Sequence, residues 1–334
     1  MQNYDNSDKN TIFEEKTSKI TPFSTVLNRQ TIKRLAAEAG FDCCGIAPCR
    51  HLTDNERWFR DWLRQGCHAS LGYLERNIEK RFDPRRLVAG ARTAVVCAVS
   101  YKNRFSEGYP AGWPAKIASY ACNRDYHDTI RAMLQQLLAA LRALHPTLEG
   151  RAFVDTAPLA EKQLAVEAGL GWIGRQSLLI TPQYGSFVLL GELLLCDACD
   201  AYDAPLEGVG CGSCRACMEH CPTGALVAPC CIDTRRCIAR HTVERETADP
   251  AARPSLHGWI FGCDACQSCC PHNRQSPQHR NPAFDPLVDP LDWPPERWQQ
   301  LTEARFTELF GTTPLTRSGL QRIRRNIEDN TPST

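Results

Sequence analysis

Nineteen cysteines stand out in the 334-residue chain, and most of them fall between Cys196 and Cys270. Two runs in this segment are regularly spaced. They are Cys211-x2-Cys214-x2-Cys217-x3-Cys221-Pro222 and Cys263-x2-Cys266-x3-Cys270-Pro271. An odd number of cysteines without an export signal does not suit a disulfide framework, whereas thiolates at these spacings bind metal centres. The sequence therefore indicates metal or iron-sulfur ligation.

The first run has the spacing of a bacterial ferredoxin at every position, including the final proline. Three thiolates on one loop reach three irons of one cluster, and the fourth, on a helix expected after Pro222, points to a second cluster. A zinc knuckle has no use for that fourth position. The second run is one ligand short, and Cys237 supplies it. We therefore predict two 4Fe-4S clusters, one held by Cys211, Cys214, Cys217 and Cys270, the other by Cys221, Cys237, Cys263 and Cys266.

The remaining cysteines show no comparable pattern. Cys196-x2-Cys199 lacks the partner pair that a further metal site needs, so we interpret it as a spectator. The same interpretation covers Cys230, Cys231 and Cys269. The cysteines before residue 196 are expected to be small buried hydrophobic residues.

Asp155 is the candidate acid. It follows an apolar strand, residues 152–154, whose end is expected to open toward a cavity, where desolvation would raise the carboxyl pKa and keep the group protonated. The alternative is structural, because Asp155 or Thr156 before Pro158 and Glu161 could cap the next helix. The residues alone leave both interpretations open.

The elements that position these residues alternate between helix and strand up to residue 195, which predicts an α+β protein whose N-terminal α/β domain has a central sheet. Asp128 is expected to cap a long amphipathic helix that ends before Pro146. The predicted strands are 41–47, 94–100, 151–156, 178–181 and 187–195, and the predicted helices are 31–39, 128–144 and 158–168.

The domain organisation follows from shifts in composition. We predict a disordered tail over 1–27, a catalytic domain over 28–195, a ferredoxin-like cluster domain over 196–282 and a C-terminal helical segment over 283–334. A net charge of +1 excludes a broadly basic surface. No apolar stretch is long enough to span a membrane, and the N-terminus lacks the apolar centre of a secretory signal, so we expect a cytoplasmic protein.

Several motifs taken together resemble the cobalamin-dependent epoxyqueuosine reductases of transfer-RNA modification, over roughly residues 31–330. The set is specific because the motifs occur in this order together with the cysteines. They are Asp125-Tyr126-His127, Val154-Asp155-Thr156-Ala157-Pro158 followed by Glu161-Lys162, Ala168-Gly169-Leu170-Gly171-Trp172-Ile173-Gly174, Gly185-Ser186-Phe187, Leu190-Gly191-Glu192-Leu193, Asp233-Thr234-Arg235-Arg236-Cys237-Ile238 and Gly262-Cys263-Asp264-Ala265-Cys266-Gln267.

The resemblance implies a two-electron reduction that converts the epoxide of epoxyqueuosine in a tRNA anticodon loop into the alkene of queuosine, with loss of water. Electrons would pass through the two clusters to base-off cobalamin, and Asp155 occupies the position of the proton donor. The resemblance also implies a set of cofactor contacts: Arg81, Gln176, Leu179, Leu190, Ala239 and Asp264.

The resemblance further implies an RNA partner, an external one-electron donor such as a flavodoxin or ferredoxin, and a monomer. Tyr126 and His127 are candidates for substrate contact, although such a pair is also typical of a structural hydrogen bond. Guanidinium groups suit phosphates and splayed bases, and a solvated helix face is the alternative for those near the C-terminus. The arginines considered for RNA are Arg240, Arg245, Arg322, Arg324 and Arg325, with Arg235, Arg236 and Arg317 nearby.

The chain departs from the family pattern at Ser119, Asn123, Arg175 and His272, which puts local cofactor contacts in doubt. It also stops without the helical-repeat extension of longer members. Two alternatives remain: a related corrinoid iron-sulfur enzyme such as a reductive dehalogenase, and a ferredoxin-like electron carrier. A carrier would have no need of Asp155 or of the long segment before the clusters.

Overall fold

The computed structural model of the chain describes residues 26–244 and 253–330. Most of the predicted tail lies outside these residues. Leu27, assigned to that tail, is fully buried, and its backbone bonds to Ala198 and Asp200. The folded body therefore includes Leu27, one residue earlier than the predicted boundary.

The strands of the described residues are short apart from two that cross the centre of the protein. They are β1 (Cys43–Pro48), β2 (Thr93–Ser100), β3 (Lys116–Ile117), β4 (Gly150–Phe153), β5 (Trp172–Ile173), β6 (Leu179–Ile180), β7 (Val188–Leu195), β8 (Leu226–Ala228), β9 (Cys231–Ile232) and β10 (Trp259–Phe261).

The helices surround these strands, and none in the described parts of the chain is long and apolar enough to cross a membrane. They are α1 (Arg29–Glu38), α2 (Thr53–Arg64), α3 (Ile78–Phe82), α4 (Tyr126–Leu144), α5 (Glu161–Glu167), α6 (Ala216–Glu219), α7 (Ile238–Val243), α8 (Ala265–Ser268), α9 (Pro271–Gln275), α10 (Pro295–Gln300), α11 (Glu303–Phe310) and α12 (Gly319–Glu328).

The central sheet has the strand order β1-β2-β7-β4, and every pairing in it is antiparallel. All of β2 is buried, because helices cover both faces. Alternate side chains of β2 point to opposite faces: Val95 packs with α1 and α4, whereas Val96 packs with α3 and α5. The predicted α+β architecture with a central sheet is confirmed.

One predicted strand lies elsewhere. Residues 178–181 contribute β6, which pairs with β5 in a separate hairpin instead of joining the central sheet. The hairpin is tight at Gly171, where an added Cβ would lie 2.0 Å from the carbonyl oxygen of Ile180. The glycine-rich stretch after α5 thus allows the close approach of β5 and β6.

The cysteine-rich segment contains only short elements, as expected where clusters rather than a large apolar core hold the chain. The helix expected after Pro222 does not form; the chain turns at Gly224, with φ +59°, and enters the β8–β9 hairpin. A helix does follow the second Cys-Pro pair, at α9.

The C-terminal helices pack back on the body, as predicted. Trp298 of α10 and Ile323 of α12 join one apolar cluster with Ile117 of β3 and Phe261 of β10. Because β10 pairs in parallel with β3, the cysteine-rich segment shares a sheet with the N-terminal part of the chain.

Candidate active site

Asp155 lies two residues beyond β4, where the chain leaves the sheet. Its carboxylate Oδ2 accepts a hydrogen bond from the Tyr126 hydroxyl at 2.6 Å and lies 3.3 Å from Nε2 of His127. Its backbone N–H donates to Oε1 of Glu161 at 2.7 Å. The helix that follows begins at Glu161 with Ala160 in the cap position, so the helix-cap alternative for Asp155 is excluded.

Asp125 explains why Tyr126 and His127 face Asp155. Its carboxylate accepts from the backbone N–H of His127 at 3.0 Å and from Nδ1 of the same residue at 2.8 Å, which caps α4. The helix therefore begins at Tyr126, and the predicted cap at Asp128 is wrong. The rings of Tyr126 and His127 stack with centroids 4.2 Å apart.

The charge state of this group differs from the expectation. The hydrogen bond with His127 is the largest influence on Asp155 and holds its pKa below the usual value, although burial opposes it. Hydrogen bonds with Asp125 and then Asp155 raise the pKa of His127 to about 9. The expected raised pKa of Asp155 is therefore wrong, because a cation faces the carboxylate. At neutral pH the proton resides on His127.

Two adjoining cavities flank Asp155. The larger, of about 980 Å³, extends past Tyr126 and His127 to Cys237. The smaller, of about 490 Å³, has an aromatic wall that includes Trp58 and Trp62. Both are lined by Leu74, Arg81, Asp155 and Ala157.

The cavity walls carry polar atoms that lack partners. Nε of Arg81 and Oγ of Ser177 are buried and have no hydrogen-bond partner among the described residues. Buried polar atoms are normally paired, so these favour a bound ligand with polar groups. The flat aromatic side chains of the smaller cavity add apolar area for a planar ring system. The pair of cavities thus fits a large, flat ligand with a polar periphery, as cobalamin is.

The predicted cofactor residues divide into two groups. Arg81 and Ala239 line the cavities. Leu179, Leu190, Gln176 and Asp264 do not line either one. The two leucines pack in the core on one side of the sheet. Asp264 is buried and accepts from the Ser119 backbone N–H at 2.7 Å and hydroxyl at 2.8 Å, while burial raises its pKa to about 6.

The two predicted sets of cysteines lie in different surroundings. Cys211, Cys214, Cys217 and Cys270 line one small space together with Gln176 and His272. In the second set, burial raises the pKa of Cys266, and Cys221, Cys237 and Cys263 lie close enough to raise it further. No three metal-binding side chains in the described ranges are close enough to hold a single metal ion.

Cys237 connects the second set to the cavity, because it lines the larger cavity beside Ala239. The pKa of the Cys221 thiol is lowered. Burial acts to raise it, but hydrogen bonds from the N–H groups of Thr223 and Ala225 outweigh burial. A lower pKa favours the thiolate, which is the form that binds iron. The leftover Cys230 lines the smaller cavity.

The candidate RNA residues lie in different environments. Arg240 lines the larger cavity and contacts Ser70, and Arg317 lines the same cavity and pairs with Glu244 at 3.2 Å. Arg322 is nearly buried and donates to the carbonyl of His241 at 3.4 Å. Arg245 lies outside the described residues.

Arg324 and Arg325 lie on α12. The guanidinium of Arg324 donates to the carbonyls of Trp298, Gln299 and Leu301 at the end of α10, and Nε of Arg325 is buried. Backbone carbonyls thus engage Arg322 and Arg324, and these contacts are typical of residues with a structural role.

All four departures from the family pattern make local contacts within the protein. Ser119 holds Asp264, Arg175 donates to the carbonyl of Gly212 at 2.7 Å, and His272 meets the Trp172 ring edge-on at 5.0 Å. Asn123 is buried, and its side-chain oxygen accepts from Asn103 at 3.4 Å. Arg175 and His272 border the first set of cysteines.

Sequence reasoning missed the role of Glu161 and Glu192. The side chains of Glu161 and Glu192 are neighbours, and each acts on the pKa of the other. A signal was present, because Glu192 interrupts an otherwise apolar strand and is fully buried there. A buried ionisable residue of this kind is a sign of function.

Two family models match the chain. The model "Epoxyqueuosine reductase QueG, DUF1730" matches residues 81–156, which include Asp155, and the model "4Fe-4S double cluster binding domain" matches residues 210–273. The second match contains all eight predicted cluster ligands.

Whole-chain relatives carry the same name. An epoxyqueuosine reductase of Cyclobacterium marinum is 38% identical, and the alignment covers 89% of this chain and 95% of the relative. That of Pseudomonas aeruginosa is 35% identical over 91% of this chain and 86% of the relative.

Solved structures agree with the sequence comparisons. The epoxyqueuosine reductase of Streptococcus thermophilus has a TM-score of 0.79 at 28% identity, covering 90% of this chain and 80% of that one. A complex of an epoxyqueuosine reductase with an epoxyqueuosine-modified tRNA-Tyr stem loop has a TM-score of 0.78 at 29% identity, with the same coverage. The Bacillus subtilis enzyme, with its catalytic aspartate loop swung out of the active site, has a TM-score of 0.79 at 27% identity over the same shares.

Proposed function

Because the chain belongs to the epoxyqueuosine reductase family, we propose that it reduces epoxyqueuosine to queuosine in the anticodon loop of tRNA. The observation that carries this proposal is that one cavity is lined by both Asp155 and Cys237, a predicted cluster ligand. Such an arrangement suits a reaction that consumes electrons and protons at the same point. It does not suit a simple electron carrier.

The reaction requires two electrons and two protons for each epoxide. The carbon–oxygen bonds of the epoxide break, an alkene forms, and the oxygen leaves as water. When bound, the two 4Fe-4S clusters supply single electrons, and cobalamin supplies a strongly reducing cobalt centre. The protein residues that would hold cobalamin are those with unpaired polar atoms or flat apolar faces, namely Arg81, Ser177, Trp58 and Trp62.

We propose that His127 and Asp155 together provide the acid. His127 is protonated at neutral pH and lies 3.3 Å from the Asp155 carboxylate, so a proton can move to Asp155 as the departing oxygen gains charge. The hydroxyl of Tyr126 orients the same carboxylate at 2.6 Å. Asp155 remains partly exposed to the cavity, with 46% of its side chain accessible, and can therefore reach substrate.

The catalytic loop of the Bacillus subtilis relative carries an aspartate and is seen swung out of the active site. We propose that the loop of Asp155 is its counterpart. Asp155 follows a strand end and has the left-handed φ of +51°, which is uncommon for a residue with a side chain. A conformation of this kind needs support from neighbouring residues.

The electron path that we propose begins at the first set of cysteines. Cys211 and Cys214 are partly exposed, whereas Cys237 of the second set borders the cavity. Electrons would therefore enter at the first cluster and leave from the second. The proposed donor is a small one-electron carrier, a ferredoxin or a flavodoxin, and the proposed state of the protein is a monomer.

For the RNA, we propose entry through the larger cavity. Arg240 and Arg317 supply positive charge along its lining, and the Tyr126 and His127 rings offer a face for a base. A base that is flipped out of a single-stranded loop can reach such a recess.

The decisive experiment is turnover by anaerobically purified protein loaded with iron, sulfide and cobalamin. With a strong one-electron reductant and an RNA stem loop containing epoxyqueuosine, we expect queuosine, detected by mass spectrometry of the released nucleosides. Protein that lacks cobalamin is the control and should give no product. Loaded protein that binds this RNA and leaves the epoxide unchanged would contradict the proposal.

A further inference from the structure

Asp155 has an unfavourable backbone conformation, and its backbone N–H is bonded by a side chain, that of Glu161. A left-handed residue with a Cβ costs free energy and persists only where its surroundings enforce it. Here the carboxylate of Glu161 accepts the Asp155 N–H at 2.7 Å. Among the described residues, the N–H of Asp155 donates to no backbone carbonyl. Glu161 therefore determines the direction in which the loop leaves β4.

Glu161 is in turn held by Glu192. Glu192 is fully buried in β7, between Val96 of β2 and Phe153 of β4 in the sheet. Neither of its oxygens meets an N–H or hydroxyl donor among the described residues, and the polar group within reach is the Glu161 carboxyl. Two carboxyl groups attract each other only when they share a proton. Burial raises the pKa of Glu192 and so favours its neutral form, whose O–H can donate to Glu161.

We propose that Glu161 and Glu192 are positioning residues for Asp155: the buried side chain of Glu192 fixes the carboxyl group of Glu161, which fixes the backbone of Asp155 so that its side chain points into the cavity. This inference rests on the proposed function for its reaction and adds a reason for a buried acid in the central sheet. Neither residue touches the substrate in this role.

The arrangement depends on one proton and is therefore sensitive to pH. Burial raises the pKa of Glu161 to about 7 and also raises the pKa of Glu192 well above its usual value. As pH increases, loss of the shared proton leaves two adjacent negative charges, which repel each other and release the loop. The other ionisable groups that face the pair are Asp155 on the loop, Lys162 on α5, Arg81 on α3, Tyr126 on α4 and Cys97 on β2.

Four variants of the loaded enzyme test the proposal. E161L removes the acceptor, and E192L removes the donor that fixes it. E192Q keeps an N–H donor at the same place but holds no titrating proton. E167Q, at the other end of α5, removes a carboxylate that pairs with Arg50 at the surface and is the matched control.

Two readouts separate positioning from folding. We expect kcat to fall about 10²-fold in E161L and E192L, with KM for the RNA changed by less than about threefold. E192Q should recover most of the turnover that E192L loses. In a plot of kcat against pH, the decline at alkaline pH should occur at higher pH in E192Q than in the wild type. Hydrogen exchange of the peptide 153–160 should be about tenfold faster in E161L and E192L than in E167Q.

The outcomes decide between clear alternatives. Normal exchange and turnover in E161L would overturn the proposal, as would equal losses in E192Q and E192L. Loss of the cobalamin absorbance in E161L would make Glu161 a cofactor ligand and overturn its positioning role. Faster exchange in E161L, with a wild-type protein inactive on epoxyqueuosine RNA, would support the positioning and contradict the proposed function.

Discussion

Asp155, His127 and Asp125 form one acid-base unit, although the sequence separates Asp155 from the other two by almost thirty residues. His127 bridges the two carboxylates, with Nδ1 toward Asp125 and Nε2 toward Asp155. The pKa of His127 is raised and that of Asp155 is lowered because each stabilises the charged form of the other. A single proton thus belongs to the unit rather than to Asp155 alone.

Replacing Asp155 tests its place in this unit. In D155N the amide retains the shape of the side chain but passes on no proton, so we expect kcat to fall about 10²- to 10⁴-fold. The content of cobalamin and iron should be unchanged, as measured by absorbance and metal analysis. D128N is the matched control, because Asp128 is an exposed acid of α4 paired with Arg131. Wild-type turnover in D155N would remove Asp155 from the mechanism.

The pH dependence of stability follows from the pKa of His127. Because the folded-state pKa of about 9 lies above the value of about 6.5 in an unfolded chain, the charged ring stabilises the fold fully below about pH 6.5. This contribution is lost as pH rises through about 9. We therefore expect H127Q to have a lower Tm than the wild type at pH 6, and the difference to shrink toward pH 10. A difference independent of pH would contradict the charged pair.

At the residue scale, the sequence supported the choice of Asp155, Tyr126 and His127 because they occur in recognisable motifs. The sign of the Asp155 pKa shift could not be predicted. It depends on which group faces the carboxylate across the gap between α4 and the end of β4, and burial alone suggested the opposite direction. The Glu161–Glu192 contact was hidden for the same reason, since it joins a helix start to the middle of a strand.

Helix α5 lies directly against β1, and Gly45 is the residue that allows this close approach. A Cβ at Gly45 would lie 2.0 Å from the carbonyl oxygen of Ala168. G45A should therefore lower the free energy of unfolding by about 1–3 kcal/mol, measured by thermal or denaturant unfolding. G72A is the control, because nothing lies within 4 Å of a Cβ there, and it should leave stability unchanged or raise it by up to about 1 kcal/mol. Equal effects would contradict the packing.

The cysteine loops offer a matched pair of neighbours, Cys269 and Cys270. Cys270 lines the space of the first set, whereas Cys269 packs in a small apolar cluster with Leu226. We expect C269S to keep about eight iron atoms per chain and C270S to keep about four, measured on anaerobically loaded protein. The same iron content in both variants would contradict the crossed ligand assignment.

At the element scale, periodicity and apolar runs predicted β2, β7 and α4 closely, because long buried elements carry strong patterns. Short elements were harder. The predicted helix after Pro222 was wrong, and the predicted strand at 178–181 came without its partner β5, since a four-residue segment carries too little pattern to show what it pairs with. The cap of α4 was misplaced by three residues, because Asp125 and Asp128 are equally suitable by type.

Across the whole molecule, the arginines divide into those at the cavity and those that hold helices together. R240A removes positive charge from the cavity lining, so we expect weaker RNA binding. The slope of the logarithm of the binding constant against the logarithm of the salt concentration should become shallower by about 0.7. R324A removes the partner of the last carbonyls of α10 and should lower Tm without changing that slope. Fluorescence titrations over a range of KCl concentrations provide the measurement. A lower slope in R324A with no change in R240A would reverse the assignment.

The sequence predicted the order of the parts of the molecule but not their contacts. Composition placed a boundary near residue 195, where regular alternation of helix and strand ends. It did not indicate that β10 would pair with β3, because a two-residue parallel contact between segments about 140 positions apart leaves no local pattern. The eight cysteines could be proposed as ligands because the spacing of two runs limits the choices, whereas the shape of the cavity depends on α2, α3 and the β8–β9 hairpin together.

The pairing of β10 with β3, and the bond from Ser119 to Asp264, bear on how such a protein could be re-engineered. A cassette cut at residues 196 and 282 would leave behind its strand partner and the donor that satisfies Asp264, and so would expose an unpaired edge and a buried acid. A foreign ferredoxin put in its place would lack the residues that pair with β3 and accept from Ser119. The cysteine-rich segment therefore depends on contacts with the rest of the chain and cannot be exchanged as an independent unit.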